Sequence, residues 1–143
     1  MKNLLNSSQR ISLQVSLRNF EERLRYAEHI LDHPVEEEAI LFRQHLDLPE
    51  EYRAGIKSQI KSALDQIREL REVFSLEVDE DDLARRIESE LYISWENLMD
   101  VHAIKLRGYG EVHPGLAGIL DPRIQNLAAI ALELASWFRD AKS

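Results

Sequence analysis

The sequence predicts an all-α protein, and three observations carry that prediction. Apolar residues recur at alternating spacings of three and four along four long segments, which is the period of a helix with one buried face. Acidic or proline-led starts precede several of those segments, as a helix N-terminus favours. Four of the five glycines fall in one stretch, Gly108 to Asp121, leaving the helical segments nearly free of them. The expected architecture is an up-down four-helix bundle with an additional short helix between the first and second long helices. One domain is expected over residues 1–143, since a chain of this length fits a single domain, and short connections make neighbouring helices antiparallel.

The first helix is predicted from about Ser8 to Asp32, with Leu13, Leu17, Phe20, Leu24, Ala27 and Leu31 on one face. Ile11, Leu13, Val15 and Leu17 alternate like a strand, but the longer helical period decides for helix. His33-Pro34 ends it. Pro34 and Glu36 to Glu38 suit the start of the short helix, whose stripe is Val35, Ala39, Phe42 and Leu46. Asp47 then has the spacing of a capping box with Glu50. The second long helix follows, with Tyr52, Ile56, Ile60, Ala63, Ile67, Leu70 and Phe74 facing inward.

A third long helix is expected from the acidic run Asp79 to Asp82 as far as Arg107. Leu83, Ile87, Leu91, Leu98 and Val101 form one stripe, and Tyr92, Trp95, Met99, His102 and Leu106 another. Two stripes imply more than one neighbour, and Gly108 is the expected C-cap. The last helix is expected to open at Asp121-Pro122, with Asp121 as N-cap. Ile124, Leu127, Ala131, Leu134 and Phe138 are its expected seam. Ala128, Ile130, Leu132 and Ala135 make it apolar nearly all round, as befits a central helix or a subunit interface.

Charge and composition narrow the function classes. The chain of 143 residues has a net charge of −8, and no segment carries a basic surplus. Nucleic acid is therefore not an expected partner, since its phosphates need a cationic footprint. No cysteine is present, which removes thiol chemistry and disulfides. Met1 to Asn6 lacks a long apolar core, and no apolar run reaches about 20 residues. A soluble, cytoplasmic protein without a membrane partner is the expectation.

Candidate sites are few. The residue three before each histidine is Tyr26, Ile30, Phe42, Met99 or Gly110, never glutamate, so the Glu-x-x-His pattern of two-metal carboxylate bundles is missing. His29 and His33 share a helix face but lack further ligands, and neither a metal nor another cofactor is expected. Arg53, Lys57 and Lys61 read as a solvated helix face, with Asp65 in reach of Lys61. Arg107, Tyr109, Glu111 and His113 place a base, a phenol, an acid and an imidazole close together on glycine-rich backbone, the best place for a polar binding site. His102 and Lys105, followed by Gly108, have a spacing that resembles histidine phosphotransfer domains, where the lysine and glycine are adjacent; here Leu106-Arg107 intervene. That resemblance implies phosphate acceptance at His102. The apolar stripe around His102 predicts instead that it is mostly buried.

The leading expectation is a non-enzymatic interaction module that self-associates, as a two-fold dimer, or binds another protein. The alternatives are a phosphotransfer module acting through His102, and a small-ligand pocket lined by Tyr92, Trp95, Met99 and Trp137.

Overall fold

The computed structural model describes residues 4–33 and 39–141, and every regular element among them is a helix. The chain divides into two compact units, Met1–Asp79 and Glu80–Ser143. Each holds two long helices.

In the first unit, α1 spans Ser7–Asp32 and α2 spans Glu50–Phe74. Asn6 opens α1 with a capping box: its side chain accepts the Gln9 N–H at 2.8 Å, and the Gln9 side chain accepts the Asn6 N–H at 2.9 Å. Two of the orphan donors of the first turn are satisfied this way. Ile11 to Leu17 are helical, as the longer period predicts. The core is Leu31, Ile60 and Leu64, with Leu24, Ala27, Leu48 and Ile56 packed around it.

Polar contacts clasp the two ends of this hairpin and make it antiparallel. At one end Arg53 donates to the Leu31 carbonyl, and Lys57 pairs with Asp32. At the other, Arg10 donates to the Phe74 carbonyl. The Gln14 amide donates to the Glu77 carbonyl at 2.8 Å and accepts the Glu77 N–H at 3.2 Å. One side chain thus satisfies both backbone groups of a residue beyond the helix. Arg18 adds an ion pair to Asp79 at 2.8 Å. α2 stops at Ser75, whose φ of 51° is left-handed. The Leu76 N–H returns to the Arg71 carbonyl at 2.9 Å, the bond of a Schellman motif.

Two expectations change here. The short helix between α1 and α2 is absent over residues 39–49; Pro34 to Glu38 lie outside the described residues. Phe42 is 60% and Leu46 45% exposed, so the expected stripe is not packed as one face, and a short helix without packing does not hold. Asp47 does not cap α2. Pro49 precedes the first turn with extended backbone and no side-chain cap, while Asp47 lies 3.2 Å from His45.

In the second unit, α3 spans Leu83–Met99, a 3-10 helix spans Ala103–Tyr109, and α4 spans Leu116–Asp140. Asp82 caps α3 by accepting the Arg85 N–H at 3.1 Å. α3 does not continue to Arg107. His102 is extended, with ψ 153°, and its Nδ1 lies 3.0 Å from the Met99 carbonyl oxygen. Gly108 therefore lies inside the 3-10 helix, and Gly110, with φ 147°, ends it.

Asp121 is not the N-cap of α4 either. The helix starts five residues earlier and carries Pro122 inside it. The Asp121 carboxylate instead accepts the N–H of Ala103 at 2.8 Å, a contact spanning 18 residues, and so caps the 3-10 helix from a neighbouring element. Ala103 is buried, and its N–H would otherwise be an unsatisfied buried donor. This bond sets the start of α4 beside the end of α3, and the two helices pack antiparallel along their length. The seam is Ile124, Ala128, Ala131 and Ala135, all buried, with Ala128 and Ala135 at 0% exposure. Small side chains let helix axes approach closely.

Candidate functional site

The four residues expected to form a polar site do not converge. Arg107, Tyr109, Glu111 and His113 are all exposed, and no hydrogen bond or ion pair links them. Two of them serve local backbone. The Arg107 Nε donates to the Ile104 carbonyl at 3.3 Å. The His113 Nδ1 accepts the Gly115 N–H at 2.9 Å, which fixes that ring nitrogen as unprotonated in this contact. Tyr109 is 92% exposed. His102 is half-buried where the sequence predicts it mostly buried, and it stands at the head of the 3-10 helix with exposed Lys105 one turn on. His29 and His33 stack, with ring centroids 4.5 Å apart, and no cluster of three metal-ligating side chains occurs among the described residues.

Two grooves lie within the first unit. One, of about 640 Å³, is lined mainly by Tyr26, Ile30, Leu46, Leu48 and Ile56. The other, of about 540 Å³, runs along α1 and α2 over Ile60 and Leu64. Its walls are ion pairs: Lys57–Asp32, Lys61–Asp65 and Arg68–Asp65. The hydrogen bond from Lys57 holds the Asp32 carboxyl below its ordinary 3.8, with the nearby charges of Lys57, His33 and Arg53 acting in the same direction. Neither groove involves Tyr92, Trp95, Met99 or Trp137, the expected ligand-pocket residues; Tyr92 and Trp137 are exposed, and Trp95 and Met99 are half-buried.

The outer side of α4 is an exposed apolar surface. Ile119 is 65% exposed, Leu127 50%, Ile130 44% and Trp137 62%. With half-buried Leu134 they form a second helical stripe, roughly 110° around the axis from the buried alanines. On α3, Leu83 and Ile87 are also exposed, offset in the same rotational sense from its half-buried face of Ala84, Leu91 and Trp95. In antiparallel helices the same offset brings both stripes to one side, so the α3–α4 hairpin has one apolar outer face. Only Arg123 interrupts the α4 stripe between Ile119 and Trp137. The helical period alone places Leu127 and Leu134 on the inner seam and so hides this face. The signal was the trio Ala128, Ala131 and Ala135, at spacings of three and four.

No helix among the described residues is long and apolar enough to cross a membrane. No family model, curated protein or solved structure matches the chain.

Proposed function

We propose that this protein acts by protein–protein contact, self-associating as a homodimer in the cytoplasm through the apolar outer face of the α3–α4 hairpin. One observation carries the reading: four large apolar side chains stand exposed at helical spacing on α4. Scattered surface leucines need no explanation, but an apolar stripe at helical spacing is a mark of an interaction surface. Catalysis has no comparable support, since Arg107 and His113 are each engaged with separate local backbone groups and Tyr109 and Glu111 are exposed. The up-down four-helix arrangement belongs to the same proposal, each hairpin supplying two antiparallel helices.

Sedimentation of the full chain at micromolar concentration tests this reading. The expected result is a dimer mass that Leu127→Glu or Trp137→Glu converts to a monomer. A monomer mass for the unaltered chain across the micromolar range overturns it. Tryptophan emission gives a second reading. Both tryptophans, Trp95 and Trp137, lie in the second unit, so association buries Trp137 and shifts emission to the blue as concentration rises.

A further inference from the structure

We infer that the occupant of the α4 face is α4 of a second copy, running antiparallel, with Arg123 of each copy facing Glu133 of the other. This inference rests on the self-association proposed above and adds the geometry.

Charge supplies the argument. Between Asp121 and Arg139, α4 carries only two charged side chains, Arg123 and Glu133. Both are exposed, and among the described residues neither forms an ion pair; Arg123 only donates to the Ile119 carbonyl of its own helix at 2.6 Å. Arg123 lies on the apolar stripe itself, and Glu133 flanks it beside Ile130 and Trp137. They stand five residues on either side of Ala128.

A two-fold axis crossing α4 near Ala128 therefore sets each arginine opposite the glutamate of the other copy. The same axis lays Trp137 of one copy over Ile119 of the other and gathers Leu127 and Ile130 of both at the centre. A parallel arrangement would set Arg123 against Arg123 and Glu133 against Glu133, at positions where like charges repel. The partner is then a second copy of this chain, and the two ion pairs select the direction in which it docks.

Charge reversal tests the register. Arg123→Glu alone and Glu133→Arg alone are each expected to weaken dimerisation about tenfold at low salt, since two pairs per dimer turn repulsive. The double variant restores both pairs in reversed sense and is expected to return to within about threefold of the unaltered chain. Circular dichroism confirms that each variant keeps its helix content.

Spin labels read the direction independently of charge, and the absence of cysteine makes single sites simple. In the antiparallel dimer, labels at Asn126→Cys lie close together, while labels at Arg139→Cys lie about 33 Å apart along the axis. Rescue by the double variant together with this pair of separations establishes the register. A dimer in which the double variant is no better than the singles, or in which Arg139→Cys labels are as close as Asn126→Cys labels, overturns the antiparallel register and leaves self-association standing. A chain that stays monomeric overturns both.

Discussion

The two hairpins hold their helices together by different means. The first packs large aliphatic side chains, Leu31, Ile60 and Leu64, and closes both ends with long polar side chains that reach across to backbone or carboxylate: Arg10, Gln14, Arg53 and Lys57. The second packs alanines, which lets α3 and α4 lie close, and is tied by the bond of Asp121 to the Ala103 N–H. The contrast teaches why their surfaces differ. When the inner seam is made of small residues, the large apolar residues of the same helix must lie elsewhere, and on α4 they lie outside. In the first hairpin, Ile11, Val15 and Tyr26 are also exposed, but Arg18 and Glu22, paired at 3.2 Å, interrupt their row.

Opposite volume changes give the largest test of this contrast. Leu31→Ala is expected to cost about 2–5 kcal/mol, through lost burial and the cavity it leaves. Ala128→Leu is expected to cost about 1–3 kcal/mol, because a side chain with no exposure has no room to grow. Urea unfolding followed by circular dichroism measures both. Tolerance of leucine at position 128 would break the claim that the second seam depends on small residues.

The Asp121–Ala103 link of the second hairpin comes next. Asp121→Ala leaves the buried Ala103 N–H without an acceptor and is expected to destabilise by about 1–2 kcal/mol, in the range of a lost cap. Hydrogen exchange sharpens the result, since the Ala103 amide loses its protection in this variant. An unchanged exchange rate at Ala103 would show that the carboxylate bond does not hold the 3-10 helix.

Smaller effects belong to the ends of the first hairpin. Ser75 adopts a left-handed conformation that costs a non-glycine residue about 1–2 kcal/mol, and Ser75→Gly recovers part of this, less the added freedom of the unfolded chain. The expected gain is about 0.5 kcal/mol, read as a higher urea midpoint. The least effect is electrostatic. Because Lys57 holds the Asp32 carboxyl below 3.8, the folded state prefers the ionised form. The stabilisation is fully present above pH 3.8 and disappears as pH falls through the lowered value. The stability gap between the unaltered chain and Asp32→Asn therefore narrows under acid; a gap independent of pH down to 2 would remove that linkage.

Much of the helical content was legible along the chain, and the errors share a cause. Leu13 to Leu31 and Tyr52 to Phe74 show uninterrupted helical periods, and both are helices. The period between Leu83 and Arg107 looks equally continuous, yet α3 ends at Met99 because Asp121, a residue from the next helix, takes the Ala103 N–H. Asp121-Pro122 has the local chemistry of a helix start, yet the helix begins at Leu116. The candidate site at Arg107 to His113 was legible as a cluster in sequence, but four exposed side chains on a short 3-10 helix and its exit do not meet in space.

The sequence by itself determined that this chain is helical and which segments carry the long helices. These properties depend on local propensity and on period, both of which a linear sequence expresses directly. Only the tertiary structure decided which side of α4 is inside. Leucines and alanines at neighbouring positions define two stripes about a third of a turn apart, and both are apolar. The choice between them rests on how closely α3 can approach, a matter of shape between two helices. By burying the alanines, the fold left Ile119, Leu127, Ile130 and Trp137 on the surface, where a second copy can reach them.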